Sequence, residues 1–524
     1  MGNPIDTTFI SVRQTAAQFL ATAACELFPK TLLVSGQGTF RYFYYDFYFP
    51  FAFQNEMLPV IEERMRTLLR ERRPIKRLEM VPSNAAALLE HQGQGVIAEG
   101  LRRSRSAVVQ MCQIGDAVDF CPYEFSLKGN LGFFKLIEAY DPQIPGKKVT
   151  RIVGALSQGK EELKAIVKQP VPSLKDHMTL SRELQLFMPL GEKNQWMWLP
   201  KGEQIQAFLS RWWREEHVQQ NFNFISSPAP FLSGGAEESM ARCHLEFLSK
   251  NLSSKTAEIA WLPVLERGDF FGGLFLTAAS FTDRAYLSCS AEKLLEETIS
   301  SLQFILKIPK ILGFEFEIAL SVSSAGNQKE RQKAVNVFSQ ALQELQLEYT
   351  LQKDHRSGVH ACIELRILDA LGRRWRGPHL SYSGISVPNQ KESVLIRSAF
   401  GSMERLVGLM LEHTGGQIPF WLAPEQVRIL LVGEKSSAWA DEVCRGLRDQ
   451  GVRVTTQSGP ELLKTRMYCA LREKVPLIVL IGEREEKTKS LTIRRSVENE
   501  EKNITIEEFC AVIEGCQTEW KRLI

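Results

Sequence analysis

The tightest constraint on the fold lies in the last hundred residues, where short apolar runs recur at the spacing of a parallel sheet. The runs 427-VRILLV-432, 452-VRVTT-456 and 477-LIVLIG-482 are separated by helical patterns near 437–450 and 460–474. Strands of that length alternating with helices predict a small α/β domain with a largely parallel sheet. Upstream the pattern changes. The stretch 257-AEIAWLPVLERGDFFGGLFLTAASF-281 reads as two strands around a Gly-Gly turn, followed by a helix near 290–308, a strand near 315–322, a long helix at 328–346 and strands at 348–353 and 358–368. That order predicts an antiparallel sheet with helices packed on it, an α+β arrangement.

The first part of the chain alternates differently. A helical pattern, 11-SVRQTAAQFLATAACELF-28, precedes the aromatic strand or strand pair 40-FRYFYYDFYF-49 and a charged helix over 54–73. The run 159–184 is helical at both ends and interrupted by Pro-Val-Pro, which marks an interdomain connector. A chain of 524 residues divides into three or four cores. The expected boundaries are 1–165, a connector at 166–185, then 186–424 and 425–524, an α+β multidomain protein overall.

Composition narrows the function classes. With 44% hydrophobic and 24% charged residues and a net charge of +3, the chain lacks the one-sided charge of a disordered tail or a general nucleic-acid binder. Only 64-RMRTLLRERRPIKR-77 is densely basic, and by itself it reads as a solvated helix face. The ten cysteines contain no CxxC pair, so neither a zinc ribbon nor a disulfide scaffold is expected. No window of 18 uncharged apolar residues exists, and the start carries no targeting pattern, so the expected place is the cytoplasm, with no membrane partner.

The segment 401-GSMERLVGLMLEHTGGQIPFWLAPEQVRIL-430 carries a recognisable signature. GSMER alone also suits a surface arginine on a partly buried helix. Together with PFWLAP it resembles motif 3 of a class II aminoacyl-tRNA synthetase, specifically threonyl-tRNA synthetase, running into its anticodon-binding domain. The resemblance extends over nearly the whole chain. It implies an editing-like domain around 13-RQTAAQFLATAACELFP-29 and 118-VDFCPYEF-125, and a catalytic-like domain entered at 176-DHMTLSRELQLF-187. The small ubiquitin-like domain that often precedes editing is not expected before Arg13.

What the resemblance implies for individual residues is uneven. ATP contacts are expected from Arg267, Asp269, Gly401 and Arg405, with Arg267 and Arg405 in catalytic roles and magnesium as companion ion. Glu485 and Arg494 fall where the family faces anticodon bases, so tRNA is the expected partner, although an edge-strand ion pair explains the two equally well. Pro228 is the expected motif 1 proline of a dimer, formed with itself or with a complete synthetase. Other positions depart from the pattern. Gln14 and Gln18 occupy the two histidine positions of the editing helix, Cys121 remains, and Phe125 replaces the following histidine. Glutamine does not titrate near neutrality, so the resemblance implies no general base there.

The zinc site of the family uses one Cys and two His. Tyr286 and Ile396 take the histidine positions, and Cys243 is at most a remnant of the third ligand, so zinc is not expected. The second arginine of motif 2 is replaced within 278-AAS-280. The favoured expectation is a threonyl-tRNA synthetase-like protein impaired in threonine-specific aminoacylation and editing but retaining tRNA and ATP binding. Two alternatives stay open: an active ligase that forms an adenylate of threonine or another amino acid without zinc, and an interaction subunit of a complete synthetase.

Overall fold

A computed structural model describes residues 7–104, 106–142, 148–169, 171–190, 195–227, 236–250, 254–263, 273–324, 327–354, 358–384, 392–432, 437–496 and 501–522. The fold is mixed α+β and divides into two compact units. The first comprises Met1–Thr179 with Arg267–Leu276 and Asp369–Arg373; the second comprises Leu180–Glu266, Thr277–Leu368 and Arg374–Ile524.

The first unit opens with α1 (Thr7–Leu27), β1 (Leu32–Gly38), β2 (Tyr42–Tyr48) and α2 (Leu58–Arg70). It continues with β3 (Ile75–Met80), α3 (Pro82–His91), α4 (Gly95–Arg102), β4 (Val109–Ile114), β5 (Ala117–Phe120), β6 (Phe133–Tyr140), β7 (Thr150–Ser157) and α5 (Lys160–Val167). Strands in the order β1-β2-β7-β6 form one antiparallel sheet, and β3-β4-β5 form a second. Ala16, Ala17, Ala21, Ala23 and Ala24 are all buried on α1, so the helix backbone comes very close to β1. Gly38 shows how close: a Cβ there would stand 2.1 Å from Gln14 N. Strand β2 is buried on both faces, which is why its sequence is aromatic at every position but Asp46 rather than alternating. Within this dry layer Arg151 donates two hydrogen bonds to Asp46, at 2.7 and 2.8 Å. Leu371, from the segment Asp369–Arg373, packs among Tyr42, Tyr44, Val153 and Ala155.

The basic run 64–77 is paired at five of its seven cations. Arg64 and Arg73 pair with Glu26 and Glu71, Arg66 with Glu62 and Glu63, Arg70 with Glu63, and Arg77 with Glu124.

The second unit begins with α6 (His177–Leu184, from Leu180 onward), the short pair β8 (Phe187–Pro189) and β9 (Trp196–Trp198), and α7 (Pro200–Gln219). Then follow β10 (Asn223–Phe224), α8 (Ala236–Ser249), β11 (Lys255–Pro263), β12 (Ala279–Cys289), α9 (Leu294–Ile311), β13 (Phe316–Ser323), α10 (Gln328–Glu344) and β14 (Thr350–Asp354). β15 (Val359–Leu368), β16 (Arg374–Ser383), β17 (Ser393–Ser398) and α11 (Met403–Thr414) complete this part. Among the described residues the strands form an eight-stranded sheet, β10-β11-β12-β17-β16-β15-β13-β14, antiparallel except at its two edges. The expected Gly-Gly turn differs in detail. Gly273 begins a short 3-10 turn, and the second strand starts only at Ala279.

The C-terminal part contains β18 (Val427–Leu431), α12 (Ser437–Asp449), β19 (Val454–Gln457), α13 (Leu463–Arg472), β20 (Leu477–Ile481), α14 (Glu483–Thr488), β21 (Ser490–Arg495), β22 (Glu501–Thr505) and α15 (Ile506–Arg522). Its sheet order is β19-β18-β20-β21-β22. The first three strands run parallel as expected, but β21 and β22 turn back antiparallel. The connection from β20 to β21 explains the change: α14 has six residues, and a parallel crossover needs about a dozen or more.

The Asp46–Arg151 pair supplies a test of the first unit. Asp46→Ala strands a buried guanidinium and should cost about 3–5 kcal/mol in urea unfolding of the full chain. A loss below about 1 kcal/mol would show that the pair is not desolvated.

Candidate functional site

The unbroken register of β11 with β12 fixes which residues share a face of the large sheet. On β12 the face of Tyr286 also carries Ser280, Thr282 and Arg284, because side chains alternate. Tyr286 lies directly opposite Ile396 on β17, Ile396 opposite Ser381 on β16, and Ser381 opposite Cys362 on β15. The two expected ligand positions are thus cross-strand neighbours, as a metal site would need. What stands between them is apolar. Ala241, Leu245 and Leu248 on α8 pack against Tyr286, Val394 and Ile396.

His244 lies on the same face of α8 and is fully buried, its ring stacked on Tyr286 at 4.1 Å. Its Nδ1 is 2.8 Å from Thr256 Oγ1 and its Nε2 is 3.1 Å from Glu258 Oε2. Burial lowers its pKa against the opposing pull of Glu258, so the ring is neutral at neutral pH. A neutral ring then accepts from Thr256 and donates to Glu258. Burial alone would raise Glu258; the hydrogen bonds from His244 and from Ser227 N and Oγ outweigh it and hold the carboxyl below its usual range. Cys243 falls off the sheet-facing side of α8 and is half-buried. Near Tyr286 and Ile396, no three His, Cys, Asp or Glu side chains converge among the described residues. A tetrahedral zinc site does not fit here.

The signature 401–405 is held by the sheet. Gly401 has φ +70°, and a Cβ would stand 2.7 Å from Gly377 O, so both conformation and space require glycine. Ser402 caps α11 by accepting from Arg405 N. The Arg405 guanidinium lies over the Trp375 ring at 5.2 Å and donates to Arg376 O at 3.2 Å. Glu404, buried, accepts from Ser280 Oγ at 2.6 Å and from Phe281 N at 3.1 Å. Burial raises its carboxyl despite those bonds. Ser280 therefore anchors α11. Asp283 ties the approach to the helix, accepting from Trp213 Nε1, Ser398 Oγ, Ala399 N and Phe400 N at 2.7–2.9 Å. Sequence reasoning passed over Glu404 and Asp283, because acids buried by distant neighbours carry no local signal. Arg267, Asp269 and Pro228 lie outside the described residues.

Of the editing-like positions, Gln14 and Cys121 lie in contact. Gln14 accepts from Gly38 N at 2.8 Å and its Nε2 reaches Cys121 Sγ at 3.4 Å. Burial, with Asp119 adding to it, pushes the Cys121 thiol up to about 12, so it is no nucleophile at neutral pH. Phe125 is buried under the Arg77 guanidinium, 5.0 Å from the ring centre. Asp119, two residues before Cys121, was missed from sequence. It accepts from Tyr45 Oη at 2.7 Å, and burial pushes its carboxyl up to about 7 while Tyr45, the Phe120 backbone and Gln18 pull the other way.

In the C-terminal part Glu485 serves its own helix: its carboxylate accepts from Gly482 N at 3.0 Å and from Thr492 Oγ1 at 3.1 Å. Arg494 stands opposite Glu501 in the register of β21 and β22, 3.9 Å away.

Residues 426–515 match a family described as an anticodon binding domain. The chain is 26% identical to the threonine–tRNA ligase of Clostridium tetani over 557 aligned positions, covering 96% of this chain and 87% of that protein. It is 28% identical to the threonine–tRNA ligase of Clostridioides difficile over 556 positions, with the same coverage. Among solved structures, the RNA binding domain of threonyl-tRNA synthetase from Cryptosporidium parvum aligns with 65% of this chain and 98% of its own, with a TM-score of 0.59 at 21% identity. Prolyl-tRNA synthetase from Cryptosporidium parvum, complexed with L-proline and AMP, aligns with 66% and 78% of the two chains, with a TM-score of 0.51 at 13% identity. The structures establish a shared fold. Threonine–tRNA ligases are homologues of this chain over most of its length.

Asp119 makes stability depend on pH with a defined sign. Its native pKa of about 7 exceeds the unfolded value of about 3.9. Between those values the native state holds a proton that the unfolded state has released, so stability falls as pH rises through the window. Asp119→Asn should match the parent near pH 4 and gain roughly 1.4 kcal/mol per unit of separation by pH 7.5. Unfolding midpoints measured from pH 4 to 8 check this; parallel curves for the two proteins would refute it.

Proposed function

We propose, from a similarity to threonine–tRNA ligases that spans nearly the whole chain, that the protein is a synthetase-like tRNA-binding protein without zinc-dependent threonine activation or editing. In this reading residues 1–165 are an editing-like domain, 166–185 a linker, 186–424 a catalytic-like domain and 425–524 the anticodon-binding domain. The observation that carries it is the packing of Tyr286 against Ile396 beneath α8. Residues that would grip a metal and a substrate amino group have become mutual apolar neighbours. A hydrocarbon at 396 and a phenol packed in that apolar cluster do not make the two-imidazole set that zinc would need.

The nucleotide end supports a narrower loss. Gly401 and Arg405 keep the signature geometry, and Arg405 stacks on Trp375. We assign ATP, with magnesium, as a ligand of this end, held by Arg405 together with Arg267 and Asp269. ATP would supply the phosphoanhydride for adenylation; the chain's own contribution is to orient it. Neither Gln14 nor Cys121 supplies a titrating base near neutrality, since Gln14 is committed to the Gly38 amide and Cys121 stays a thiol. At the C-terminus Arg494 is the base-contacting residue, reached by breaking a weak pair with Glu501, and Glu485 positions the strand end beside it. The partner is tRNA, and the assembly a dimer of this chain or a pairing with a complete synthetase.

Amino-acid-dependent ATP–pyrophosphate exchange decides the reading. The expected result is no exchange with threonine and less than about a tenth of an equivalent of zinc in the purified protein. Threonine-dependent exchange would overturn the proposal, and exchange with another amino acid would make the protein a repurposed ligase.

Transfer-RNA binding is a separate test. Arg494→Ala should weaken a cognate tRNA by about 1–3 kcal/mol, roughly 5- to 150-fold, and flatten discrimination among tRNAs. Unchanged selection would remove Arg494 from the interface.

A further inference from the structure

A cluster of reactive side chains lies on the other face of the large sheet. Val394 and Ile396 turn toward α8, so alternation sends Ser393, the first residue of β17, to the side away from it. There it meets Tyr382 of β16 and two residues of α10, Glu330 and Lys333. Ser393 and Tyr382 lie at or near strand ends, and Glu330 and Lys333 are half-buried, so the group stands at the rim of the sheet.

Its hydrogen bonds run in one direction. Lys333 Nζ donates to Ser393 Oγ at 3.0 Å. Tyr382 gives its one hydrogen to Glu330 Oε2 at 3.1 Å, so in the 2.8 Å contact between Ser393 Oγ and Tyr382 Oη the serine is the donor. The serine proton thus has a path through the phenol to a carboxylate, and an ammonium sits against the oxygen that the proton leaves. A base in reach and a cation beside the developing charge are what a serine nucleophile needs.

His360 adds an open position. A bulge in β15 between Val359 and Ala361 takes it out of the strand's alternation, and its ring lies 5.8 Å from that of Tyr382. Its side chain is more than nine-tenths buried, yet Nδ1 has no hydrogen-bond partner among the described residues. Burial lowers its pKa, with Glu330 opposing and Arg331 adding to the shift, so the neutral ring can share one hydrogen bond with a substrate.

We propose that Ser393 is the nucleophile of a second site, which cleaves carboxylic esters with a short acyl group. The site stands independently of the tRNA reading. Ser393 Oγ bonds to the carbonyl carbon while its proton passes to Tyr382 and the phenol proton passes to Glu330. Lys333 holds the negative charge that develops. The bond from carbon to the leaving oxygen then breaks, and the alcohol departs with the proton returned through Tyr382. Water attacks the acyl-serine by the same proton path, releasing the acid and restoring the serine. Ser393 is 5% exposed, which is why the acyl group must be short.

The test uses the full chain, an ethyl fluorophosphonate label and p-nitrophenyl acetate. Peptide mass spectrometry should place the label on Ser393, and labelling should abolish hydrolysis of the ester. Ser393→Ala should lose both, and Lys333→Met and Tyr382→Phe should each slow both at least tenfold. The proposal fails if the native protein takes no label, if the label sits on another residue, or if labelled protein hydrolyses the ester as fast as before. It fails equally if folded Lys333→Met and Tyr382→Phe proteins react at the parental rate, which would mean a structural network only. Should a variant lose its circular dichroism, the position of the label on the parent protein decides alone.

Discussion

Asp283 is the point on which the second unit's functional end depends. One buried carboxylate gathers an indole from α7, a hydroxyl from β17 and two backbone amides from the turn before α11. Hydrogen bonds to a charged acceptor are strong, and each unmade donor would be stranded away from water. Gly401 can therefore meet the backbone of Gly377 only because the preceding turn is already fixed. Arg405 inherits its place over Trp375 from that chain of contacts.

The sheet face of Tyr286 is packed shut beneath α8. Tyr286, Val394 and Ile396 give α8 a seat held by area burial rather than by directional polar groups. His244 keeps the one polar network there, and it is internally satisfied: Thr256, Glu258 and Ser227 complete one another's hydrogen bonds. A network with no spare donor or acceptor stabilises a closed state rather than waiting for a ligand.

Much of this was legible from the chain. The alanine spacing of α1, the parallel strands of the C-terminal part and the glycine of the 401 signature are local properties, and local physics decides them. The antiparallel return at β21 was missed because it depends on the length of α14, and helix ends are poorly marked in sequence. Residues 286 and 396 were singled out separately, but their direct opposition across β12 and β17 is a matter of register between strands distant in sequence. Asp119 and Glu404 look like ordinary surface acids; burial in the fold raises both, against the hydrogen bonds from Tyr45 and Ser280.

The neutralised arginines of α2 and β3 bear on how any RNA would be held. Affinity for a polyanion grows with ionic strength lowered because bound phosphates release condensed counterions, roughly one for each free cation brought to them. An arginine already matched to Glu26, Glu62, Glu63, Glu71 or Glu124 releases none without first abandoning its carboxylate. The paired arginines of the most basic stretch thus add little to counterion release, and the steepness of any salt dependence reports on Arg72, Lys76 and cations elsewhere.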